Sequence, residues 1–503
     1  MSNTRDVRSS DIAGTTEQII AHQPLSQDSC ARTSTCVTRD LARSRLIPPS
    51  LTDRGNAELF VQLYGDRFRH VEGLGWFCWD GYRWNQGGGV AALWAAGEMA
   101  EKIPPSDPMR YFSECDLRRH KRRTLSTAGL KALLVQAEAS ADMSIAPDML
   151  DGDPYALCTP AGVVELRTGR LRNADPARDL HSRATSVAPE EIDTPRWHRF
   201  MSETFGENPE GKKMTDFLHL LLGYSITGDV SAQVLPFLFG EGKNGKSVLL
   251  DAMIQILGDY ADVAPPGFLM DRGSLSGHST GLTELHGRRL VVCSELKPQD
   301  KFDEARVRLL TGGERIKARR IRQGYISFTP THHLWLVGNH QPEVLTGGFS
   351  FWRRIRLIPF ERVVPDVNKI DNLAFELVRE EGPGILHWLI EGARRYLRTR
   401  DSLTGPDRVR IATNTYATTE DHVGRFLAQR CTRDARRRLG LRVEQRSLYA
   451  AYRAWCSGEE SVGPVDSRAF AARVRHDIGL MSPTEMIKSN GRKYYPHIAL
   501  TDG

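Results

Sequence analysis

The apolar run Leu235–Phe239 leads directly into Gly-Glu-Gly-Lys-Asn-Gly-Lys-Ser, and a second apolar run at helical spacing follows from Val248. Two glycines bracketing four residues, then Lys-Ser, is the spacing that lets backbone N–H groups curl around a phosphate. The N-terminus of the following helix adds positive dipole. The expected nucleotide contacts are Gly240, Glu241, Gly242, Lys243, Asn244, Gly245, Lys246, Ser247 and Val248. In this reading Lys246 reaches the β- and γ-phosphates and the Ser247 hydroxyl ligates Mg²⁺, so ATP and Mg²⁺ are the expected cofactors.

A phosphate loop needs an acid and a polar sensor on neighbouring strands. Leu290–Cys293 reads as a short buried strand ending in Ser294-Glu295. Glu295 is placed to polarise an attacking water and to help Ser247 hold the metal. His-Leu-Trp-Leu-Val-Gly reads as another strand, and it ends at Asn339, whose amide can orient the water or touch the γ-phosphate. Fifteen residues on come Arg353 and Arg354, in Phe-Trp-Arg-Arg-Ile-Arg-Leu-Ile-Pro-Phe. Each alone is an ordinary strand terminus; in series they read as an ATPase constellation.

A second cluster is basic. Five of the eight residues Arg315–Arg322 are Lys or Arg, crowded before an apparent turn at Gln323-Gly324. Only 13 of the 68 basic residues are lysine, so a lone arginine in this chain says little and an arginine needs a position to count. Lys317, Arg319, Arg320 and Arg322 have one: a basic hairpin beside an ATPase strand can grip phosphates without reading sequence. A solvated hairpin is the plain alternative.

These runs resemble the superfamily 3 helicases, specifically the phage and plasmid primase-helicase branch related to poxvirus replication ATPases. The matching stretches are Gly240–Ser247, Leu285–Glu295, Thr311–Arg319, Phe328–Pro342 and Trp352–Phe360. Upstream, Gly-Trp-x-x-Trp-Asp-Gly-Tyr-Arg-Trp and Gly-Val-Val-Glu-Leu-Arg-Thr-Gly look like the domain that precedes this ATPase in the family, so the resemblance runs from about residue 55 to 500. It implies an AAA+-like core with parallel strands, assembled as a ring, probable hexamers being the family pattern, around DNA. It places Lys246 and Ser247 on the phosphate loop, Glu295 on the second acidic position of its strand, and Asn339 on the sensor. Arg353 or Arg354 falls near an arginine finger offered to the neighbouring subunit, and the DNA hairpin falls at the basic cluster. One departure is Ser294, where many members carry an acid; it leaves the metal resting on Ser247, Glu295 and phosphates.

Other features are weaker. Arg118–Arg123 reads as a solvated helix face or loop, or as a phosphate-contacting patch. Asp151 and Asp153 have the spacing of a two-metal pair, but no strand and no third acid accompany them. His332-His333 opens a strand and reads as structural. With no polymerase triad and no zinc motif, a primase half is not expected here. A separate primase or polymerase is a possible partner.

Stepping outward from these residues, 503 residues suggest two to four domains. Residues 1–50 hold no Phe, Tyr or Trp and 14 Ser or Thr, the composition of a disordered arm; a helix around Asp11–Ala21 is a secondary expectation. Residues 51–195 read as an α+β domain: a short helix from Ala57, a Trp-rich hairpin turning at Asp80-Gly81, helices over 91–103 and 126–140, and a strand pair over Leu157–Leu171. Residues 196–400 read as the α/β ATPase domain with a helical collar. Residues 401–503 show helix, helix, and a hairpin turning at Asn490-Gly491, the order of a winged helix. That last fifth carries 17 Lys and Arg against 12 Asp and Glu, which is +5 of the chain's +6. Arg473, Arg475, Lys488, Arg492 and Lys493 are its expected phosphate contacts.

Eight scattered cysteines without a C-x-x-C pair read as reduced thiols. No run approaches a membrane span, and the first residues lack a signal-peptide core, so a cytoplasmic protein is expected. The favoured function is an ATP-dependent DNA helicase of phage- or plasmid-type replication, acting as a ring on single-stranded and forked DNA. An ATP-dependent, DNA-bound initiator or scaffold without unwinding is the rival. A small-molecule kinase would need neither the arginines at 353 and 354 nor the basic cluster.

Overall fold

The structure is a computed structural model that describes residues 46–107, 109, 111–272, 279–294, 296–319, 325–345, 347–363, 365, 370–434, 440–460, 463–480 and 482–501. The expected arm and its Asp11–Ala21 helix thus lie outside the described residues, apart from Leu46 to Ser50. Two compact units are present. One comprises the chain up to Gln62 with Leu93–Ala137; the other comprises Leu63–Ala92 and everything from Glu138.

The first unit is helical. Its helix Glu114–Thr124 opens on Ser113, whose side chain caps the Asp116 amide, with acids in the first turn and bases in the last, as the helix dipole favours. Buried Asn56 bonds His120 at 2.8 Å and the Thr124 hydroxyl at 3.0 Å, which fixes the inner face of this helix.

In the second unit, Phe68–Val71, Gly75–Trp79 and Trp84–Gln86 form an antiparallel meander, and Ser144–Ile145 adds alongside the first strand. The turn falls where Asp80 was expected to place it: its carboxylate accepts the N–H groups of Tyr82 and Arg83. Trp76 and Trp84 are buried as core anchors. The expected strand pair over Leu157–Leu171 is a three-stranded meander, Ala156–Thr159, Gly162–Glu165 and Arg170–Arg172. The third strand is short and its ends are exposed, so it lacks the alternation that reveals a strand.

The helices Pro195–Phe205 and Pro209–Ile226 follow, and Pro209–Ile226 lies against the long helix Leu373–Thr399. Their closest approach is Gly223 on Gly392: a Cβ on either glycine would collide with the other helix's backbone. Together they cover one face of a five-stranded sheet whose order is Ile355–Pro359, Leu235–Phe239, His333–Gly338, Leu290–Cys293, Ala261–Val263. All neighbours are parallel. The sheet is buried on both faces, which is why its strands read as continuous apolar runs and not as alternating ones. Trp335 is fully buried, and its indole donates to the Ser225 hydroxyl at 2.9 Å.

From Val423 the chain builds a hydrophobic cluster of its own, including Phe426, Leu448, Tyr452, Trp455, Phe470 and Tyr495. The helices Gln445–Trp455 and Ser467–Asp477 are followed by the strands Ile487–Ser489 and Arg492–Pro496, and Arg442–Glu444 adds a third strand. Asn490 and Gly491 both take positive φ, the backbone that a tight two-residue hairpin requires. The helices Asp407–Glu420 and His422–Arg430 were not anticipated; their polar faces dilute the apolar period. Cys78, Cys115, Cys158, Cys293, Cys431 and Cys456 are free thiols. Among the described residues no helix is long and apolar enough to cross a membrane.

Candidate functional site

The sheet brings one set of residues together at the carboxyl ends of its three inner strands. Leu235–Phe239 delivers the glycine loop, His333–Gly338 delivers Asn339, and Leu290–Cys293 delivers Ser294. They line a single cleft of about 450 Å³ with Lys243, Ser247 and His340. Open parallel sheets place ligands at this edge, where helix N-termini and strand ends converge.

The loop is shaped by contacts that its sequence demands. A Cβ on Gly240 would strike the Phe360 carbonyl, and the same carbonyl accepts the Asn244 side-chain amide at 2.8 Å. Gly245 has φ +88° and begins the helix Lys246–Leu257, a conformation that costs an L-residue strain. Lys246 is buried, and its ammonium donates to the carbonyls of Gly240 (2.7 Å) and Glu241 (2.9 Å) and to the Asn244 side-chain oxygen (2.9 Å). Burial holds its pKa below the ordinary lysine value. Three neutral acceptors around one cation leave its charge uncompensated, so an anion entering the loop meets a full positive charge. Ser247, in the first helical turn, is exposed toward the cleft. Glu295 lies outside the described residues; its neighbours Ser294 and Leu296 both line the cleft. Among the described residues no group of three His, Cys, Asp or Glu side chains could hold a metal ion.

Arg353 and Arg354 are elsewhere. They precede Ile355–Pro359, which runs in register with Leu235–Phe239, so they sit at the amino edge of the sheet while the loop sits at the carboxyl edge. A five-residue strand separates the two edges by roughly 16 Å. Arg354 is buried and engaged: it donates to the Thr311 hydroxyl at 2.9 Å, to Gln233 at 3.1 Å and to the Ser350 carbonyl. Burial first, then the charges of Arg353 and Arg308, lower its pKa. Arg353 is exposed and donates only to Gln233 among the contacts found. Gln233 and Thr311, which hold this pair, carry no local sequence signal; the parallel register alone brings them there.

The basic cluster does form a hairpin. Ile316–Arg319 pairs antiparallel with Tyr325–Phe328, with Ile316 and Ala318 buried and Lys317 exposed. Arg320, Arg322 and the expected turn at Gln323-Gly324 lie outside the described residues, and only the backbone of Arg319 is described. In the C-terminal region Lys488 and Lys493 are directly opposed across the hairpin and both exposed. Like charges in that position repel, and an anion across them removes the cost. Arg492 pairs with Glu444 at 3.3 Å and Arg473 with Asp421. Arg475 is half-buried near Tyr495.

The weaker features resolve as structural. Arg118, Arg119 and Arg123 pair with Glu114, Asp116 and Asp53, all on exposed ground. Buried Asp151 accepts the N–H groups of Ser182 and Arg183, and Asp153 accepts that of Tyr155, so neither faces a shared metal position. His332 and His333 are core residues; His333 bonds the Thr227 carbonyl at 2.9 Å.

Comparison with known proteins agrees with this layout. The family model "D5 N terminal like" matches residues 57–206. "Putative helicase L207/L206" of Acanthamoeba polyphaga mimivirus is 30% identical over 232 residues, covering 44% of this chain and 23% of its own length. "Putative helicase 184R" of Invertebrate iridescent virus 6 is 30% identical over 150 residues, covering 29% of this chain and 15% of its own. The chain thus spans under a quarter of the length of these relatives. Among solved structures, the apo C-terminal region of NrS-1 aligns over 63% of this chain and 80% of that chain, at 11% identity and a TM-score of 0.39. With the D5-type N-terminal match, the helicase relatives and the ordered motifs taken together, the chain belongs to the D5-type superfamily 3 primase-helicase family.

Proposed function

We propose that this protein is an ATP-dependent DNA helicase of phage- or plasmid-type replication, acting as a ring on single-stranded DNA. One observation carries the reading: the glycine loop, Asn339 and Ser294, separated by up to about a hundred residues of sequence, converge on one cleft at the carboxyl edge of a parallel sheet. In this reading the core over 196–400 is an AAA+-like ATPase, preceded by the 51–195 domain and followed by a winged-helix-like module over 401–503.

The glycine positions fit phosphates, since they keep backbone amides bare where a Cβ would collide. Residues 240–248 hold ATP, with Lys246 turning from its loop carbonyls to the phosphates. Ser247 and Glu295 would hold Mg²⁺, which when bound neutralises phosphate charge. Glu295 takes the proton of the attacking water, and Asn339 orients that water. Arg353, exposed at the opposite edge, is the group free to reach a neighbouring subunit; Arg354 braces it through their shared partner Gln233. The hairpin around Lys317 and the Lys488–Lys493 wing supply phosphate contacts.

The self-contained C-terminal core and its opposed lysines also suit a DNA-bound initiator that uses ATP only to assemble. ATP-driven strand displacement on forked DNA, run beside native mass measurement, tests the choice. Displacement by an oligomer is the expected result. Rings that hydrolyse ATP without displacing a strand would leave the initiator.

A further inference from the structure

The meander Ala156–Arg172 carries a basic cleft away from the nucleotide loop. It encloses about 440 Å³, with Ala156 and Val163 at its base and Arg167, Arg170, Arg172 and Arg178 around it. The arginines differ in state. Arg172 is held by both oxygens of buried Asp179, each at 2.6 Å, so its charge is answered within the protein. Arg167, Arg170 and Arg178 are exposed, and no ion pair is found for them among the described residues. Two carboxylates also line the cleft, and both are engaged: Asp153 accepts the Tyr155 N–H at 2.9 Å, and Glu165 accepts the Thr168 hydroxyl at 3.1 Å.

The Arg167 guanidinium lies over the Tyr155 ring, 3.7 Å from its centroid, which is van der Waals stacking distance. The Tyr155 hydroxyl donates toward Asp229 at 3.4 Å, anchoring the ring from behind. Gly169, at φ +75°, makes the turn that returns Arg170 beside Arg167. The result is a flat cation with one face on an aromatic ring, on a residue open to solvent, beside two unanswered arginines.

We propose that this cleft binds single-stranded nucleic acid, with Arg170 and Arg178 on backbone phosphates and a base laid on the outer face of Arg167. Bases stack on arginine planes as they do on aromatic rings, and such stacking is tolerant of sequence. An acidic peptide would satisfy the same charges but brings no flat face to the stacked guanidinium. The site lies outside the hairpin and wing contacts of the proposed helicase and gives the strand a further hold on the domain that precedes the ATPase.

The test uses the full chain without nucleotide, so a failure of the ATPase reading leaves its outcome intact. Oligo-dT carrying a photoreactive thiothymidine is crosslinked and mapped by mass spectrometry; crosslinks are expected within residues 155–178. In Arg167→Ala/Arg170→Ala/Arg178→Ala, shown folded by circular dichroism, the slope of log affinity against log salt should fall by about 2, at roughly 0.7 per lost contact. Arg167→Lys keeps the charge and loses the plane, so affinity should drop several-fold with the slope unchanged. Crosslinks confined to other regions together with an unchanged slope would overturn the proposal. So would displacement of the triple variant's lost partner by polyglutamate alone, which would assign the cleft to acidic protein.

Discussion

The Val344 amide donates to the Glu420 carboxylate at 2.9 Å, which ties the segment leaving Asn339 to the last turn of the helix Asp407–Glu420. One turn earlier the Tyr416 hydroxyl donates to the Pro342 carbonyl, and the next residue, Asp421, holds Arg473 of the helix Ser467–Asp477. Burial raises the Glu420 carboxyl above its ordinary range. Glu420→Gln keeps an acceptor and sheds a buried charge, so its unfolding midpoint in urea should match or exceed that of the parent. Glu420→Ala orphans the amide and should cost about 1–3 kcal/mol. Equal losses in both variants would mean that the negative charge itself is needed.

Lys246→Ala should abolish ATP hydrolysis, with turnover falling by at least about 10², because the loop loses the cation that three neutral acceptors leave available. Glu295→Gln should bind ATP and fail to turn it over. Steady-state phosphate release and nucleotide binding check both. Near-normal turnover in the lysine variant would remove the phosphate-loop assignment.

The two arginines should separate experimentally. Arg353→Ala is expected to leave the melting temperature unchanged and to lower turnover by on the order of 10³, as loss of a finger does. Arg354→Ala should lose stability by about 1–3 kcal/mol, since Thr311 and Gln233 are left facing a void. Mixing Arg353→Ala with Lys246→Ala subunits should restore some hydrolysis, because one interface then joins an intact loop to an intact finger. No recovery under proven mixing would place the finger in cis.

Acid should destabilise the core through its histidines. Burial lowers His332 to about 4 and His333 to about 3. An unfolded histidine takes up its proton near pH 6.5, whereas these two stay neutral in the fold. Their contribution is therefore complete above about pH 6.5 and is lost as pH falls toward 4 and then 3. Melting temperature should decline across that window, and His332→Leu should make the decline shallower. An unchanged slope in that variant would assign the acid lability to other groups.

Replacing Lys317, Arg319, Arg320 and Arg322 with Ala should reduce DNA stimulation of ATPase and unwinding. The salt slope of single-strand binding should drop by about 0.7 per contact made. The loss should be uniform across sequences, since phosphate contacts do not read bases. Lys488→Ala/Lys493→Ala should instead weaken duplex binding. A hairpin variant with unchanged slope would shift the grip to the other basic surfaces.

What was legible in the sequence was what is local. Gly240–Ser247 is a contiguous solution to a local problem, so spacing alone located it, and the Asn490-Gly491 turn is read from two residues. The strand order was not legible, because each buried parallel strand looks alike and its neighbour is chosen by long-range packing. For the same reason sequence could name Arg353 and Arg354 but could not tell the buried one from the exposed one, a distinction made by Gln233 and Thr311. The run Arg118–Arg123 misleads in the other direction: its neighbours Glu114 and Asp116, a turn away on the same helix, quiet the charge. The helices Asp407–Glu420 and His422–Arg430 escaped notice because polar residues cover the faces they do not bury.

The Gly223–Gly392 crossing leaves no side chain between two backbones. Elsewhere in the helical layer a substitution can be absorbed by a neighbour changing rotamer; here there is no rotamer to change. Any replacement levers apart Pro209–Ile226 and Leu373–Thr399 along their whole length, and a compensating mutation would have to be another glycine already in place. The two helices therefore behave mechanically as a single strut. A pull applied to the C-terminal end of the longer helix is delivered to the layer behind the glycine loop with little slack.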